Sequence, residues 1–192
     1  MTENGTRARR RKEILKAATE EFSRHGFEGT RIEAVAKRAG IGKSTVYEYY
    51  PSKEELLHAV CDMVVEEVLG RVREAVSGQF TLRELLIRYY RCMRDLHHQL
   101  CAMVPLFTDS AKENLEEFAA QFCRETVNMI SAMLSGAAKR GEIAMREEWN
   151  TAALMLLSTA TPIYAEGIRV GMTSYEETAD FFLRALGAET VQ

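Results

Sequence analysis

Two groups of side chains near the N-terminus have the chemistry to bind nucleic acid. The first is a basic run that consists of Arg7, Arg9, Arg10, Arg11 and Lys12. The second is the segment 43–49, in which an amine, two hydroxyls and two phenols lie close together in sequence. Such groups donate hydrogen bonds to phosphates and base edges, and an aromatic ring can pack on a thymine methyl group. These residues predict a DNA-binding surface, and a solvated helical hairpin without nucleic acid is the alternative interpretation.

Two short helices joined by a tight turn would position these side chains. The first of them is predicted from apolar residues at the spacing i, i+3, i+4 and i+7, namely Ile32, Val35, Ala36 and Ala39. Gly40 can then adopt the positive φ of a turn, and Pro51 ends the helix that follows. The apolar residues of this second helix can pack into a three-helix core, so that its polar residues face outward. This arrangement is typical of a helix-turn-helix.

The whole chain is predicted to be helical, because no segment shows sustained alternation of apolar and polar residues. A Ser or Thr followed by Glu three residues later, the pattern of a capping box, occurs at Thr30, Ser52, Thr81, Ser110 and Ser174. The predicted helices span about 7–25, 31–38, 42–50, 53–76, 82–102, 111–139, 147–168 and 175–186, with a short one after Pro105. Pro162 should kink the helix at 147–168 or open a gap in its hydrogen bonds.

The composition is that of a globular protein. The 192 residues are 46% hydrophobic and 28% charged, and only 3 are proline, which excludes a disordered or collagen-like chain. The densest apolar stretch, 152–165, contains Ser158, Thr161 and Pro162 and is shorter than the roughly 20 residues of a membrane helix. No apolar segment of a secretory signal follows the N-terminus. We therefore expect an intracellular, cytoplasmic protein with no membrane association.

Charge is divided unevenly along the chain. Residues 1–53 contain twelve Lys and Arg against seven Asp and Glu, a net charge of +5, whereas the remainder carries −8. A basic segment attracts a polyanion and an acidic segment is repelled by it. The asymmetry suggests two parts with different roles, although a solvated helix end explains the basic part equally well by charge alone.

Residues 9–57 resemble the DNA-binding domain of the TetR family of bacterial transcriptional regulators. The matching stretches include Ile14–Ala18, His25–Phe27, Val35–Ile41 and Lys43–Leu56, and they cover about a quarter of the chain. The resemblance implies an all-α fold of about nine helices. It places an N-terminal three-helix helix-turn-helix DNA-binding domain in 1–53 and a C-terminal helical ligand-binding and dimerisation domain in 54–192.

The function that this resemblance implies is transcriptional regulation. We expect a homodimeric repressor that binds double-stranded DNA at a pseudo-palindromic operator and that a small, largely apolar effector releases. The sequence shows no nucleophile with a base and no complete metal site, so no enzyme activity, cofactor or metal is expected. An architectural DNA-binding protein without an effector stays open as an alternative.

The family's DNA contacts can be transferred to matching positions of this chain. Two arginines of the basic run are added to these positions. The predicted DNA-binding residues are then Arg9, Arg10, Thr30, Arg31, Lys43, Ser44, Thr45, Tyr47, Tyr49 and Lys53. Two positions depart from the family pattern. Gly42 stands where a Ser-type helix cap is common, so the helix after it can begin more loosely. Glu48 is acidic on a helix that should face DNA, and we expect it to point to solvent.

Large, flexible apolar residues in the remainder of the chain could line an effector pocket with a few polar groups. The predicted ligand-binding residues are Met63, Tyr89, Tyr90, Met93, His97, Met103, Phe107, Phe118, Phe122 and Met129. At helical spacing, such residues also suit an ordinary core, which is the alternative for each of them.

The last two predicted helices should form the dimer interface as a four-helix bundle with a second copy, as the resemblance implies. The predicted interface residues are Leu156, Ala160, Tyr175, Ala179, Phe182 and Leu186. Burial within one chain is the alternative explanation for their apolar character.

The chain has four cysteines and no CxxC pair, so a zinc ribbon and a thioredoxin-type site are not expected. Reduced, mostly buried thiols are the simplest interpretation. His97 and Cys101 are four residues apart and share a helix face, with Cys92 one further candidate on the same helix. A metal- or thiol-responsive regulator that uses Cys92, His97 and Cys101 is therefore a further alternative.

Overall fold

Helices follow one another along the chain in the computed structural model, which describes residues 3–103, 112–145 and 147–188. Within these ranges the chain contains no strand, and the predicted all-α class is confirmed. The helices are α1 (Glu3–Gly29), α2 (Ile32–Arg38), α3 (Lys43–Tyr49), α4 (Lys53–Ala75), α5 (Leu82–Met103), α6 (Lys112–Lys139), α7 (Trp149–Thr159), α8 (Pro162–Arg169) and α9 (Tyr175–Ala185). Across the same ranges, no helix is both long enough and apolar enough to cross a membrane.

The predicted helix at 147–168 is wrong as a single element, because the chain forms α7 and α8 there. Ala160 ends α7 with a ψ of 58°, and Thr161 caps α8 by accepting a hydrogen bond from the amide of Tyr164. Pro162 occupies the first turn of α8, where its missing N–H costs nothing. The expected break at the proline is confirmed. The short helix predicted after Pro105 falls in 104–111, outside the described residues.

The hydroxyl caps of three predicted capping boxes form, and one of the three boxes is complete. The hydroxyls of Ser52, Thr81 and Ser174 accept hydrogen bonds from the amides three residues later at 3.1, 3.3 and 3.1 Å. At Thr81 the box is reciprocal, since Glu84 accepts from the Thr81 amide at 2.9 Å. These caps satisfy amides that a helix leaves without partners at its start. The box predicted at Ser110 lies outside the described residues.

The capping box predicted at Thr30 does not form. The N-cap residue of α2 is Arg31, which makes no side-chain cap hydrogen bond. The Thr30 hydroxyl instead donates to the carbonyl of Gly26 at 2.7 Å. Gly26 has φ 68° and interrupts the helical geometry of α1, a conformation that costs glycine little. Thr30 therefore stabilises the bend between α1 and α2 rather than the start of α2.

The chain divides into two compact units. One contains Met1–Glu67 and Leu100–Ala119, and the other contains Val68–Gln99 and Ala120–Gln192. The core of the first unit includes Ile14, Ala18, Phe22, Phe27, Val35, Ala36, Val46, Tyr50, Leu56, Leu57 and Val60. Phe22 and Phe27 stack there with their ring centroids 6.1 Å apart. The functional boundary expected after residue 53 stays a prediction.

The second unit has its own core, formed by α5, the end of α4, most of α6 and the last three helices. Its buried residues include Val68, Leu69, Val72, Leu82, Leu86, Tyr89, Tyr90, Leu96, Ile130, Leu134, Ala153, Leu156 and Ala179. Two ion pairs at its surface connect α5 to α9. Arg83 Nε lies 2.6 Å from Asp180 Oδ1, and Arg91 Nη2 lies 3.0 Å from Glu176 Oε1.

Candidate functional site

Helices α2 and α3 form a helix-turn-helix in the first unit. Gly40 has φ 67° in the turn between them, and the amide of Ile41 donates to the carbonyl of Ala36 at 3.0 Å, which closes the turn. Val35 on α2 and Val46 on α3 are both fully buried. The predicted motif is confirmed, and burial of these two valines fixes which side of α3 faces outward.

The outward side of α3 carries the polar residues that the sequence predicted there. Lys43, Ser44 and Glu48 are exposed, Thr45 is half-buried and Tyr47 is 39% exposed. An exposed aromatic ring next to hydroxyl and amine donors suits base edges and phosphates. Glu48 faces solvent, as expected. The surface formed by Lys43, Ser44, Thr45 and Tyr47 is called the α3 face below.

An acidic residue that the sequence reasoning did not single out pairs with the α3 face. Lys43 Nζ lies 2.5 Å from Glu33 Oε1, and it also lies 5.7 Å from the centre of the Tyr47 ring. The hydrogen bond lowers the pKa of Glu33 and raises the pKa of Lys43. Both groups are therefore charged near neutral pH. A phosphate that bound Lys43 would have to compete with Glu33 for the amine.

Arg38 ties α2 to α1 and so helps to orient the helix-turn-helix. Its Nε donates to Glu21 Oε1 at 2.6 Å, and its Nη1 donates to Glu20 Oε2 at 2.8 Å. Glu21 is only 5% exposed, and a carboxylate so enclosed needs a charged partner. The sequence feature that could have indicated this ion pair is the position of Glu21, directly before the core residue Phe22 in a helical pattern.

Of the two predicted DNA-binding residues at the start of α2, Arg31 is accessible to solvent and Thr30 is not. Thr30 is 2% exposed, and its hydroxyl already donates to Gly26. Arg31 is exposed. The contacts transferred from the family allow either residue, and the burial of Thr30 favours Arg31.

Lys53 and Tyr49, two further predicted DNA-binding residues, contact α1. The Lys53 amine, at the first residue of α4, lies 4.4 Å from the centre of the Phe27 ring and 3.5 Å from the carbonyl oxygen of Glu28. A helix N-terminus adds positive potential for a phosphate. The guanidinium carbon of Arg7 lies 5.7 Å from the centre of the half-buried Tyr49 ring. This contact holds part of the basic run beside α3.

Arg9 and Arg10 lie on α1 and share one acidic partner. Arg9 Nε is 3.6 Å from Glu13 Oε1, and Arg10 Nη1 is 3.1 Å from Glu13 Oε2. Pairs of this kind at a surface contribute little to stability, so a phosphate can replace Glu13 at low cost. The basic run therefore lies on a helix rather than in an extended arm, and its contacts with DNA stay a prediction.

The comparisons with known proteins identify this helix-turn-helix. The sequence model of bacterial regulatory proteins, tetR family, matches residues 14–60, which include all of α2 and α3. Residues 14–60 are a TetR-family DNA-binding domain. This chain is therefore a helix-turn-helix, DNA-binding transcriptional regulator, as the sequence predicted.

Curated relatives of this chain are also regulators. The uncharacterized HTH-type transcriptional regulator YhgD of Bacillus subtilis is 28% identical over 152 residues, which are 77% of this chain and 78% of YhgD. The HTH-type transcriptional regulator RutR of Escherichia coli is 29% identical over 145 residues. That match covers 70% of this chain and 65% of RutR, just under two thirds of its length.

A solved structure shows that the fold extends beyond the helix-turn-helix. The transcriptional regulator FadR from Bacillus subtilis, in complex with stearoyl-CoA, aligns with a TM-score of 0.62. The alignment covers 91% of this chain and 96% of FadR at 19% sequence identity. At that identity the likeness establishes the fold alone.

The predicted ligand-binding residues lie in both units of the chain. Tyr89, Tyr90 and Met93 are buried in the second unit, where Phe122 and Met129 are half-buried. Met63, which is half-buried, and Phe118, which is 5% exposed, belong to the first unit. Phe107 and the side chains of His97 and Met103 lie outside the described part of the chain. The common pocket stays a prediction.

The cysteines show the character of buried thiols where the structure describes them. Burial raises the pKa of Cys61 to about 12, and burial also raises the pKa of the half-buried Cys92, which the charge of Arg71 partly opposes. Thiols with raised pKa values are weak nucleophiles and weak metal ligands. Among the described side chains, no group of three His, Cys, Asp or Glu could hold a metal. The side chains of His97 and Cys101 are outside that description.

The residues predicted for the dimer interface are mostly covered by their own chain. Leu156, Tyr175, Ala179 and Leu186 are at most 8% exposed, and Ala160 and Phe182 are half-buried. The alternative, intrachain burial, therefore explains the first four. Helical spacing identifies an apolar helix face, but it does not show whether that face packs against its own chain or against a second copy.

Other apolar side chains of the same region are exposed instead. They are Leu154 (50%), Met155 (60%), Val170 (53%), Met172 (82%) and Phe181 (59%). These five residues are called the exposed apolar set below.

Proposed function

We propose that this regulator is a homodimeric repressor, which a small, largely apolar effector releases from a pseudo-palindromic operator. The observation that carries the proposal is the exposed apolar set on α7, α9 and the segment after α8. Five large apolar side chains are exposed within 154–181, and apolar side chains that form a contiguous exposed patch mark an interface. A second copy of this chain is the simplest partner, because oligomers of soluble proteins are mostly symmetric dimers.

A twofold-symmetric dimer determines the form of the operator. Two copies of the α3 face would enter successive major grooves about 34–36 Å apart. Each half-site would be contacted in the same way, so the operator should be a pseudo-palindrome with half-sites about one helical turn apart.

The effector is proposed to be largely apolar for two reasons. Apart from His97, the predicted ligand-binding residues of the second unit are tyrosine, phenylalanine or methionine side chains, and methionine adapts to varied apolar shapes. FadR, whose fold this chain shares, was crystallised with stearoyl-CoA, a molecule with a long apolar chain. Release by an effector is a coupling free energy of about 1–3 kcal/mol, and DNA must weaken effector binding by the same factor.

Selection from random DNA duplexes at near-physiological salt is the experiment that tests the DNA part of this proposal. Purified protein should retain duplexes with a shared pseudo-palindrome, which then serve as probes for effector screening. Binding without an enriched motif, which vanishes as salt rises, would show charge attraction alone and would contradict the proposal. An operator from which no apolar compound releases the protein would favour the architectural alternative.

The dimer is tested by introducing a charge into the exposed apolar set. Phe181→Asp should shift the protein from dimer to monomer in analytical ultracentrifugation, because an interface cannot enclose an unpaired carboxylate without a large cost. Ala132→Asp, at an exposed position of α6, is the matched control and should leave the dimer intact. Phe181 is mostly exposed, so the substitution should not unfold the chain, which circular dichroism checks. A dimer that tolerates Phe181→Asp would show that the interface lies elsewhere.

A further inference from the structure

Glu48 is an acidic side chain on the helix whose outward side is proposed to enter a major groove. Successive residues of an α-helix are about 100° apart around its axis, so Ser44 and Glu48 each lie about 160° from Val46. Val46 is fully buried, whereas Ser44 and Glu48 are exposed. Tyr47 and the half-buried Thr45 flank the pair on opposite sides. The burial of Val46 therefore places Ser44 and Glu48 at the centre of the outward side of α3.

The Glu48 carboxylate has no partner in the part of the chain that the structure describes. The acidic Glu33 on α2 accepts a hydrogen bond from Lys43 at 2.5 Å, but no hydrogen bond or ion pair joins Glu48 to any described residue. Ser44, which shares its place on the helix, is uncharged. The charge of Glu48 is therefore not paired when α3 approaches DNA, and it repels a polyanion unless the DNA supplies a hydrogen-bond donor.

The major groove offers a hydrogen-bond donor at only two of the four bases. Cytosine presents its N4 amine and adenine its N6 amine, whereas guanine presents the acceptors N7 and O6, and thymine presents the acceptor O4. An ionised carboxylate only accepts hydrogen bonds, so it is repelled by guanine and thymine. The adenine amine lies beside the acceptor N7, which repels the second carboxylate oxygen, but cytosine presents its amine alone. An acidic side chain in the groove therefore favours cytosine.

We propose that Glu48 determines specificity by accepting a hydrogen bond from the N4 amine of a cytosine in each half-site of the operator. The inference rests on the proposed function, because it requires that α3 enters a major groove, and it adds the base that this helix selects. The carboxylate costs affinity at every sequence that presents an acceptor in that place. Glu48 therefore excludes wrong sites as well as contacting the right one.

Selection from random DNA duplexes with three forms of the full chain tests this assignment. The wild-type protein should enrich a pseudo-palindrome with a fixed cytosine at one position of each half-site. Glu48→Ala should make that position variable and leave the other positions unchanged. Glu48→Gln should replace the cytosine by adenine, because glutamine pairs with the N6 amine and N7 of adenine. The same base at every position for the wild type and Glu48→Ala would overturn the proposal.

Affinities measured by fluorescence anisotropy separate base readout from simple charge repulsion. In the wild-type protein, changing the selected cytosine to thymine in one half-site should weaken binding about 5- to 50-fold. In Glu48→Ala this loss should disappear, while affinity for a duplex of unrelated sequence should rise, because a negative charge has left the side of α3 that faces DNA. Simple repulsion predicts the rise with an undiminished loss for thymine, and that result would overturn the proposal.

Glu28→Ala is the matched control for the removal of a negative charge. Glu28 is an exposed acidic residue of the same unit, and it lies on α1 rather than on α3. Its replacement should leave both the selected bases and the loss for thymine unchanged. Loss of the cytosine preference in Glu28→Ala as well as in Glu48→Ala would show a general effect of charge and would overturn the proposal.

The selected sequences also distinguish a failure of this inference from a failure of the proposed function. A pseudo-palindrome whose bases do not depend on Glu48 would uphold the proposed operator and overturn the inference. A single site without a symmetric repeat, whose cytosine depends on Glu48, would uphold the inference and contradict the symmetric operator. No enriched sequence for the wild-type protein would contradict both, because no base would then be selected.

Discussion

Gly42 is the N-cap residue of α3, and replacing it by serine should stabilise the helix that carries the DNA-binding face. Its φ of −75° and ψ of 152° are open to any residue, so glycine is not required by the backbone. A Cβ there would lie 3.6 Å from Ser44 Oγ and 3.9 Å from Thr45 Oγ1, which are ordinary contacts. A serine hydroxyl at this position can accept a hydrogen bond from an amide in the first turn of α3.

The expected gain has two parts. Serine is better than glycine as an N-cap by a few tenths of a kcal/mol. Removing the freedom of glycine in the unfolded chain adds about 0.4–1 kcal/mol. The sum is about 1 kcal/mol, which corresponds to a rise of about 2–4 °C in Tm for a chain of this size. Thermal unfolding followed by circular dichroism measures it.

Gly40→Ser is the matched control, two residues earlier in the same turn. No atom of the described residues lies within 4 Å of a Cβ at Gly40, yet its φ is +67°. Serine in that conformation costs about 1–2 kcal/mol, so the Tm should fall. The Tm should therefore rise in Gly42→Ser and fall in Gly40→Ser, because φ is negative at Gly42 and positive at Gly40. If Gly42→Ser also lowered the Tm, the cap at the start of α3 would not be limiting its stability, and the reasoning would be refuted.

Further predictions concern the DNA-binding surface. Lys43→Ala and Lys53→Ala should each weaken binding to all duplexes alike. Each should also reduce by about one the slope of log affinity against log salt concentration. Anisotropy titrations at several salt concentrations measure both effects, and a loss that depends on the DNA sequence would contradict the prediction. Tyr47→Ala should instead change the bases selected from random duplexes, and an unchanged preference would remove Tyr47 from base readout. Glu33→Gln should strengthen DNA binding, because Lys43 loses its acidic partner, and equal affinity in anisotropy titrations would show that Glu33 does not compete. Since Lys43 lowers the pKa of Glu33, this gain should persist from neutral pH to about pH 5 and shrink only as pH falls through that lowered pKa.

The helix-turn-helix could be predicted closely because its signals are local. The spacing of Ile32, Val35 and Ala36 defines one buried helix face, and all three are buried. Gly40 adopts the positive φ expected of it. Turn chemistry and helical periodicity depend on residues a few positions apart, so they can be recognised in the sequence alone.

The pairing of charged groups around that motif could not be predicted in the same way. Arg38 meets Glu21, 17 positions away, and Lys43 meets Glu33, 10 positions away. Each side chain alone suits a solvated helix surface. Their partners become evident only when the turns between α1, α2 and α3 are formed. The cap at Thr30 could not be predicted for the same reason. The capping pattern is present in the sequence, but the Thr30 hydroxyl donates to the carbonyl of Gly26 instead.

The sequence by itself determined the helical class, the DNA-binding motif and the break at Pro162, because each follows from the backbone preferences of neighbouring residues. The tertiary structure decided which apolar sides of the last three helices are covered. It buries Leu156 and Tyr175 and exposes Met155 and Phe181, although all four fit an apolar helix surface. Burial and hydrogen-bond partners depend on contacts between distant segments, and these contacts cannot be predicted from the spacing of neighbouring residues.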